Sequence, residues 1–336
     1  MDGYLQNKSS LPFHPFDISA DPFRPVVVTQ PYREIKTKSL ADDFYSNLID
    51  WHRDKVYIAI EDSVFCHNFL TASTAHIHTF PNSIITCIKG HKESIILGTN
   101  SGNLHTLDLN SLKSSRYSFH RSRIGVIHFN GDHILTGSRD KRIKIIDSKN
   151  GKIVDTIMHH TQEVCGLGIN KTNKYLATGG NDNKLYIYDY RRLDVPLKKC
   201  LQHKAAIKAI SWSPNSPNLF VTGGGTADKT VKLWDTKMIG SETGPLVKSV
   251  DYGSQVCNIR WLSSNLLLSS HGYSKDDVRL CSLFNFKFQK QYLGHKNRVI
   301  HFSVSPDQKY FVTGSSDCSI KFWEIKDGES SELKIR

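Results

Sequence analysis

The sequence lacks the residue spacings that metal and redox sites require. Its seven cysteines stand singly, at positions 66, 87, 165, 200, 257, 281 and 318. No two of them form a CxxC pair, so the usual zinc site and dithiol redox motif have no candidate ligands. An odd, dispersed set of cysteines is typical of a reducing compartment. We therefore expect no metal, and cysteines that pack as small hydrophobic residues.

Long apolar runs are also missing. No stretch approaches the roughly 18 consecutive apolar residues of a membrane span. The first residues do not show a basic region followed by an apolar run, which is the pattern of a secretory signal. We therefore expect a protein of the nucleus and cytoplasm with no membrane partner.

The third absence concerns catalytic motifs. The sequence contains no HExxH, no GxSxG, no P-loop and no GxGxxG that opens a helix. The nearest imitation of a phosphate loop, residues 223–230, lacks glycine before its lysine and leads into an apparent strand, which favours a turn. We expect a protein that is not an enzyme and needs no cofactor.

Charge is present in excess of one sign. The 336 residues include 44 Lys and Arg against 32 Asp and Glu, a formal net charge of +12, which favours acidic partners. Nucleic acid is not an expected partner, because the basic residues do not alternate with aromatic residues as in a stacking platform. Those residues are Arg191, Arg192, Lys198, Lys199, Lys204 and Lys208.

What the sequence does contain is an internal repeat. Asp140, Asp182, Asp228 and Asp317 are separated by 42, 46 and 89 residues, the last being two periods of about 44. Each aspartate follows a Thr-Gly pair and precedes a bulky residue by six positions. Each copy also contains a His some 20 to 25 residues before its Asp. A period of about 40 residues indicates a repeat architecture of four-stranded units.

This residue set resembles the WD40 repeat, in which His, Ser or Thr, Asp and Trp form a hydrogen-bonded relay inside one blade. Two sets are complete: His203, Thr222, Asp228 and Trp234, and His295, Thr313, Asp317 and Trp323. Ile146 and Tyr188 stand at the tryptophan position of two degenerate copies.

Continuing the period gives seven blades. The sequence thus predicts an all-β, seven-bladed β-propeller over residues 32–326, closed by a strand at residues 32–36. Five prolines in residues 1–31 predict an extended N-terminal arm without a strand. Residues 327–336 are expected to form a flexible tail.

Several stretches resemble a narrower family, the Fizzy and Fizzy-related activators of the anaphase-promoting complex, a ubiquitin ligase. The resemblance covers residue 31 to the end. It is carried by Asp42-Asp43-Phe44-Tyr45-Ser46-Asn47-Leu48-Ile49-Asp50-Trp51, Gln162-Glu163-Val164-Cys165-Gly166-Leu167, Gly179-Gly180-Asn181-Asp182-Asn183, residues 203–212, Gly223-Gly224-Gly225-Thr226-Ala227-Asp228, Ser254-Gln255-Val256-Cys257 and Ser269-Ser270-His271-Gly272.

The resemblance implies capture of short degrons of cell-cycle proteins for ubiquitination in mitosis or meiosis. In the family, a polar cluster on one face holds a Lys-Glu-Asn degron. The matching positions are Asp50, Asn181, Asn183, Thr226, Gln255 and Arg298. Asp50 suits the degron Lys and Arg298 its Glu, while the amides suit the Asn and the backbone.

Two further sites follow from the resemblance. Asp43 matches an acid that meets the Arg of a destruction box, although the family's second acid is replaced by Cys318. The terminal Ile335 and Arg336 match the tail that docks on a helical-repeat subunit of the ligase.

One family element has no match. The Asp-Arg-(Phe or Tyr)-Ile-Pro box that also docks on the ligase is not found, and Asp21-Pro22-Phe23-Arg24-Pro25 is a poor echo of it. Two alternatives therefore stay open: a divergent family member that regulates or competes with activators, and a generic WD40 scaffold with a basic face.

Overall fold

The chain folds into a closed ring of seven β-sheets. The computed structural model describes residues 27–262, 266–283 and 285–325. Each sheet is a blade of four antiparallel strands ordered from the axis outward, and one blade has a fifth, parallel strand at its outer edge. The innermost strand of each blade contacts those of the neighbouring blades around the ring. The predicted seven-bladed β-propeller is confirmed.

The strand bounds follow the repeat. Blade 1 contains β3 (Ile49–His52), β4 (Lys55–Ile60), β5 (Ser63–Asn68) and β6 (Thr74–Thr79). Blade 2 contains β7 (Ile85–His91), β8 (Ser94–Thr99), β9 (Asn103–Asp108) and β10 (Ser114–Ser118). Blade 3 contains β11 (Ile124–Asn130), β12 (His133–Ser138), β13 (Ile143–Asp147) and β14 (Ile153–Ile157). Blades 4 and 5 contain β15 (Val164–Ile169), β16 (Tyr175–Gly180), β17 (Leu185–Asp189) and β18 (Lys198–Cys200); and β19 (Ile207–Trp212), β20 (Leu219–Gly224), β21 (Thr230–Asp235) and β22 (Leu246–Asp251).

Blades 6 and 7 each accept a strand from the N-terminal side of the chain. Blade 6 contains β23 (Val256–Trp261), β24 (Leu266–His271), β25 (Val278–Ser282), β26 (Phe288–Tyr292) and the added β1 (Val27–Thr29). Blade 7 contains β27 (Val299–Val304), β28 (Tyr310–Ser315), β29 (Ser319–Glu324) and the added β2 (Arg33–Lys36). Among the described residues, the one helical segment is a 3₁₀ turn at Thr236–Met238, and none forms a helix long and apolar enough to cross a membrane.

Ring closure agrees with the sequence at one strand and differs at another. Strand β2 pairs antiparallel with β29, as the predicted closing strand should. Residues 1–31 were expected to hold no strand, yet β1 lies in this segment and pairs in parallel with β26. Pro25 and Pro31 flank these three residues and leave their backbone N–H groups free to pair, so the prolines limit the strand without preventing it.

The relay residues lie inside the blades. In blade 5 the Trp234 indole N–H donates to Thr222 Oγ1 (2.8 Å), and Thr222 Oγ1 lies 2.6 Å from His203 Nε2. His203 Nδ1 donates in turn to Asp228. Blade 7 repeats this pattern with Trp323, Thr313, His295 and Asp317 at 2.7, 2.8 and 3.0 Å.

These relays hold their carboxylates ionised. Burial alone would raise the pKa of Asp228, but the hydrogen bonds from His203 and Thr230 lower it to about 2. The same balance lowers the pKa of Asp140 and of Asp182 to about 2 in blades 3 and 4. The relay therefore connects two parts of each blade: the turn between its second and third strands, and the loop that leads into its first strand.

The inner strands surround a channel whose cavity measures about 390 Å³. We call the end where these strands begin the upper face and the end where they finish the lower face. In blades 2 to 7 each inner strand has a register shift at its second residue, as between Val256 and Asn258. Such bulges twist a strand locally and aim side chains, here at the upper rim.

Candidate functional site on the upper face

Residues 42–47 cross the upper mouth of the channel before β3 begins. Phe44 is seated at the centre, 7% exposed, in one cluster with four residues from blades 4 to 7: Cys165, Ala206, Cys257 and Ile300. Beneath it Lys208 Nζ donates to the backbone carbonyl of Ser46 (2.8 Å) and lies 5.5 Å from the Phe44 ring centroid. We call residues 42–47 the crossing segment, because its contacts tie opposite sides of the ring together.

Lys208 is a buried cation without a carboxylate partner among the described residues. Its burial lowers the pKa of the ammonium group to about 8. The carbonyls of Ser46 and Ile300 accept its hydrogen bonds in place of water. This lysine therefore holds the crossing segment to blade 5 by charge-assisted hydrogen bonds.

A second cation anchors the crossing segment on blades 3 and 4. Arg123 binds Glu163 through two hydrogen bonds of 2.6 and 2.7 Å, and its Nη1 donates to Asp43 at 2.5 Å. The guanidinium also stacks on the Tyr45 ring, 4.9 Å from its centroid. Asp43, the predicted partner of a destruction-box Arg, thus already has a cationic partner inside the chain.

The amides of blade 4 meet this segment. Tyr45 donates its hydroxyl proton to Asn181 Oδ1 (2.6 Å), while Asn181 Nδ2 donates to Gln162 Oε1 (2.9 Å). Asn183 adopts a positive φ of 61° in the same turn and donates to the carbonyl of Lys204 in blade 5 (3.2 Å). The two asparagines therefore stand on the rim where blade 4 meets blade 5.

Thr226 continues the rim on blade 5. It is exposed in the turn between β20 and β21, next to Gly225, whose N–H donates to the carbonyl of Ala206 (2.9 Å). A side chain on Gly225 would come within 3.2 Å of Ala205, so glycine here allows the turn to lie close to the entering loop. The Thr226 side chain faces solvent.

Arg298 completes the rim on blade 7, and Gln255 of blade 6 lies beside it but is only 5% exposed. A Cβ on Gly272 would lie 2.5 Å from Gln255 Oε1 and 3.3 Å from Arg298 Cδ, so both side chains flank this glycine. Arg298 Nε donates to Asp42 Oδ1 (3.1 Å), and its Nη2 donates to the Asp42 carbonyl (3.0 Å). This ion pair is open to solvent, with the Asp42 side chain 48% exposed.

Asp50, the sixth predicted degron residue, lies apart from the other five. It is 3% exposed within β3, about 10 Å along the strand from the crossing segment. Its carboxylate accepts hydrogen bonds from Lys89 Nζ, from the Gly90 N–H (2.9 Å) and from Ser303 Oγ (3.3 Å). The structure therefore brings five of the six residues to one arc on blades 4 to 7 and places Asp50 inside the channel.

Cys318 lies in a turn of blade 7, where Thr37 N–H donates to its carbonyl (2.9 Å). Its side chain approaches the Lys38 carbonyl at 3.7 Å. A carboxylate of blade 1 lies near this turn, because Glu61 accepts a hydrogen bond from the hydroxyl of Ser39 (3.3 Å), the residue after Lys38. The predicted tail residues Ile335 and Arg336 lie outside the described residues.

Sequence reasoning missed the groups that hold this rim in place. Asp42, Tyr45, Arg123 and Glu163 were not predicted as site residues. Three of them, Asp42, Tyr45 and Glu163, lie in the stretches that carry the family resemblance, and this position was a signal that could have been used. Arg123 carried no such signal, because its partners are 40 and 80 residues away along the chain.

Comparison with known proteins shows the family. Residues 36–323 match the model of the CDC20/Fizzy WD40 domain. Fission yeast WD repeat-containing protein srw1 is 34% identical over 89% of this chain and 54% of its own length. Meiotic fizzy-related protein 1 of the same yeast is 33% identical over 90% of this chain and 72% of its own length. Budding yeast APC/C activator protein CDH1 is 34% identical over 90% of this chain.

The chain spans about half the length of srw1 and of CDH1. Among solved structures, a chain of the crystal structure of a mitotic checkpoint complex superposes with a TM-score of 0.85 at 29% identity. The superposition covers 96% of this chain and all of that one. This protein belongs to the CDC20/Fizzy family of WD40 proteins.

Proposed function

We propose that the protein is a degron-binding activator subunit of the anaphase-promoting complex, which presents cell-cycle proteins to this ubiquitin ligase. Relatives that cover nine-tenths of the chain include an APC/C activator and a meiotic fizzy-related protein. The observation that carries the proposal is the arc of polar side chains on the upper face. Asn181, Asn183, Thr226, Gln255 and Arg298 come from four blades to one rim.

Arg298 supplies the charge that selects an acidic residue in a peptide. Its Nε and Nη2 are occupied by Asp42, and the remaining guanidinium donors are open to a degron Glu. A carboxylate that binds there forms a charge-assisted hydrogen bond, and Asp42 competes with it for the same cation. We therefore expect Asp42→Asn to strengthen binding of a peptide whose Lys is replaced by norleucine, because that peptide keeps the Glu and cannot pair its first residue with Asp42.

The asparagines supply the neutral part of the recognition. Asn181 has its side chain fixed in orientation by Tyr45 and Gln162, so little conformational entropy is lost when a peptide binds. The free faces of the rim amides can pair with the degron Asn and with peptide backbone groups.

Two carboxylates compete for the role of partner to the degron Lys. Asp50 is the residue that the sequence predicts, but its carboxylate is buried and already bound to Lys89. Asp42 is exposed on the rim beside Arg298. Asp42→Asn and Asp50→Asn are each tested with the Lys-Glu-Asn peptide and with a peptide whose Lys is replaced by norleucine. The carboxylate that binds the degron Lys is the one whose substitution weakens binding of the first peptide but not of the second.

The test is a titration of a fluorescent Lys-Glu-Asn peptide followed by anisotropy. Asn181→Ala/Arg298→Ala should abolish binding, while Asn110→Ala/Arg116→Ala, which removes the same residue types near the outer edge of blade 2, should bind like the wild type. Equal affinity of wild type and Asn181→Ala/Arg298→Ala would refute the degron site.

Docking on the ligase is the second part of the proposal. We assign it to Ile335 and Arg336 at the C-terminus, meeting a helical-repeat subunit. A ubiquitination assay with the full chain and with a chain that lacks these two residues tests it. Degron binding with no ubiquitination by either chain would instead support a family member that regulates activators.

A further inference from the structure

The lower face carries a cavity that the proposed degron site does not use. The cavity measures about 360 Å³ and lies at the end of the inner strands of blades 3 to 6, with Gln308 of blade 7 at its edge. Gln255 precedes β23 on the upper face, and Arg260 lies near the end of that strand. Five residues of extended chain therefore separate the two sites by about 17 Å.

Arg260 is the principal cation of this cavity. The side chain faces both the cavity and the central channel. No hydrogen bond or ion pair of its guanidinium is found among the described residues. Desolvation by the surrounding walls lowers the pKa of Arg260, and the Asp50 carboxylate in the channel opposes that shift. Arg260 is exposed, so the five donors of its guanidinium are open to solvent and to a ligand.

Two tryptophans add unused donors. Trp212 and Trp261 line the cavity and are 8% and 3% exposed. Neither indole Nε1–H has an acceptor among the described residues. Buried indole N–H groups usually find a partner, and an unpaired one is destabilising. Both indole nitrogens are themselves buried, so an acceptor from outside the chain pairs with them only when the cavity wall shifts.

The remaining lining is basic or neutral. Lys171 contributes a second cation, an exposed ammonium group, and no Asp or Glu lines the cavity among the described residues. His128 is neutral, because burial lowers its pKa to about 4, and its Nδ1 donates to the Phe129 carbonyl (3.0 Å). The cavity thus combines two cations with two unpaired N–H donors and no competing carboxylate.

From these observations we propose that the lower cavity binds a small phosphorylated molecule. A phosphate group carries nearly two charges and three acceptor oxygens, so it can satisfy an arginine, a lysine and neutral donors together. A carboxylate offers one charge and two oxygens and leaves donors unpaired. The cavity is larger than a single phosphate, which favours a ligand with more than one phosphate group.

The test uses the full chain and isothermal titration calorimetry at physiological ionic strength. The probes are inositol hexakisphosphate and inorganic pyrophosphate. The variant Lys171→Gln/Arg260→Gln should bind inositol hexakisphosphate about tenfold or more weakly than wild type, because two charge-assisted contacts are lost. The control Lys113→Gln/Lys152→Gln removes the same net charge from loops at the outer edge of blades 2 and 3, and should bind like wild type.

Tryptophan fluorescence gives a second readout. Binding should change the emission of wild type, and Trp212→Phe should reduce that change. Sodium sulfate at matched ionic strength should not reproduce it. Thermal unfolding checks that every variant is folded.

Three results would overturn the proposal. One is that neither probe binds to wild type. Another is equal weakening in the two double variants, which would show attraction to the basic surface as a whole. The third is binding to vesicles that contain phosphatidylinositol 4,5-bisphosphate without binding to the soluble probes, which would assign the cavity to a lipid surface.

Discussion

At the scale of single residues, the relay explains both what is constant and what varies among the blades. Thr222 and Thr136 occupy equivalent positions and are both fully buried. The Thr222 hydroxyl forms hydrogen bonds with two side chains, those of His203 and Trp234. The Thr136 hydroxyl forms such a bond with one side chain, that of His120, because Ile146 replaces the tryptophan. The same hydroxyl should therefore contribute differently to stability in blades 5 and 3.

We predict that Thr222→Val lowers the free energy of unfolding by about 3 kcal/mol, because it leaves the Trp234 N–H and His203 Nε2 buried without partners. Thr136→Val is the matched control and should cost about 1–2 kcal/mol, since it strands one group. Urea denaturation measures both. A larger loss in Thr136→Val would contradict this explanation.

Buried histidines set the response to mild acid. Burial lowers the pKa of His271 and of His301 to about 3. His301 accepts the Leu48 N–H at Nδ1 (3.2 Å) and donates from Nε2 to the Ala41 carbonyl (3.0 Å), so it is held neutral. The unfolded chain takes up these protons near pH 6.5 and the folded chain only near pH 3, so stability falls as the pH drops through this window.

We predict a loss of about 2 kcal/mol per such histidine between pH 7 and pH 5. The His301→Gln variant should show a smaller dependence on pH over this range, whatever its absolute stability. Chemical denaturation at several pH values measures the slope. A slope equal to that of wild type would show that His301 does not titrate in this way.

At the scale of elements, the two added strands have different anchors. Strand β2 is held by Arg33, whose Nη1 donates to the Phe69 carbonyl (3.0 Å) and whose guanidinium lies 5.6 and 5.9 Å from the Phe69 and Phe322 rings. These contacts join blade 7 to blade 1. In β1, by contrast, Val28 is 53% exposed. Ring closure therefore depends on β2.

We predict that Arg33→Ala destabilises the protein by about 1–2 kcal/mol through the lost cation–π contacts and hydrogen bond. Amide hydrogen exchange should accelerate in β29 more than in β26. Val28→Ala is the control on the other added strand and should leave exchange in β29 unchanged. Equal acceleration in β26 and β29 after Arg33→Ala would contradict the assigned role of β2.

The crossing segment is the element on which the upper site depends. Phe44→Ala should remove about 3 kcal/mol of stability, because the ring fills the mouth of the channel. It should also weaken binding of the Lys-Glu-Asn peptide about fivefold by loosening Tyr45, whose hydroxyl orients Asn181. Leu70→Ala, at a residue 77% exposed, is the control for both measurements. Unchanged peptide affinity in Phe44→Ala would separate the segment from the site.

At the scale of the whole molecule, the repeat made the fold predictable. The relay residues recur at nearly constant spacing, since each blade solves the same hydrogen-bonding problem, and the period therefore gave seven blades and the closing strand β2. Strand β1 was not predicted, because a three-residue strand flanked by Pro25 and Pro31 leaves no periodic pattern.

The site was predictable by residue type but not by arrangement. The resemblance supplied Asn181 and Arg298, yet the pairing of Arg298 with Asp42 joins residues 256 positions apart. Closing a ring creates such contacts, and no local pattern records them. The burial of Asp50 escaped notice for the same reason, since Lys89 reaches it from the neighbouring blade.

The net charge of +12 also takes on a definite form at this scale. Two arginines of the upper face, Arg123 and Arg298, are paired with carboxylates of the chain, whereas Lys208 beneath the crossing segment is bonded to backbone carbonyls. Arg260, on the lower face, has no such carboxylate among the described residues. The arginines at the two ends of the channel therefore differ, since those of the upper face are paired with carboxylates and Arg260 is not.

The central claim is that the Arg298 guanidinium binds the Glu carboxylate of a Lys-Glu-Asn degron. A double-mutant cycle between Arg298→Ala and replacement of the peptide Glu by Ala measures that contact directly, with affinities from fluorescence anisotropy. We expect a coupling energy of about 1 kcal/mol or more, because each single change already removes the charge-assisted bond. A coupling energy of zero, with the two losses simply additive, would show that Arg298 and the degron Glu do not meet.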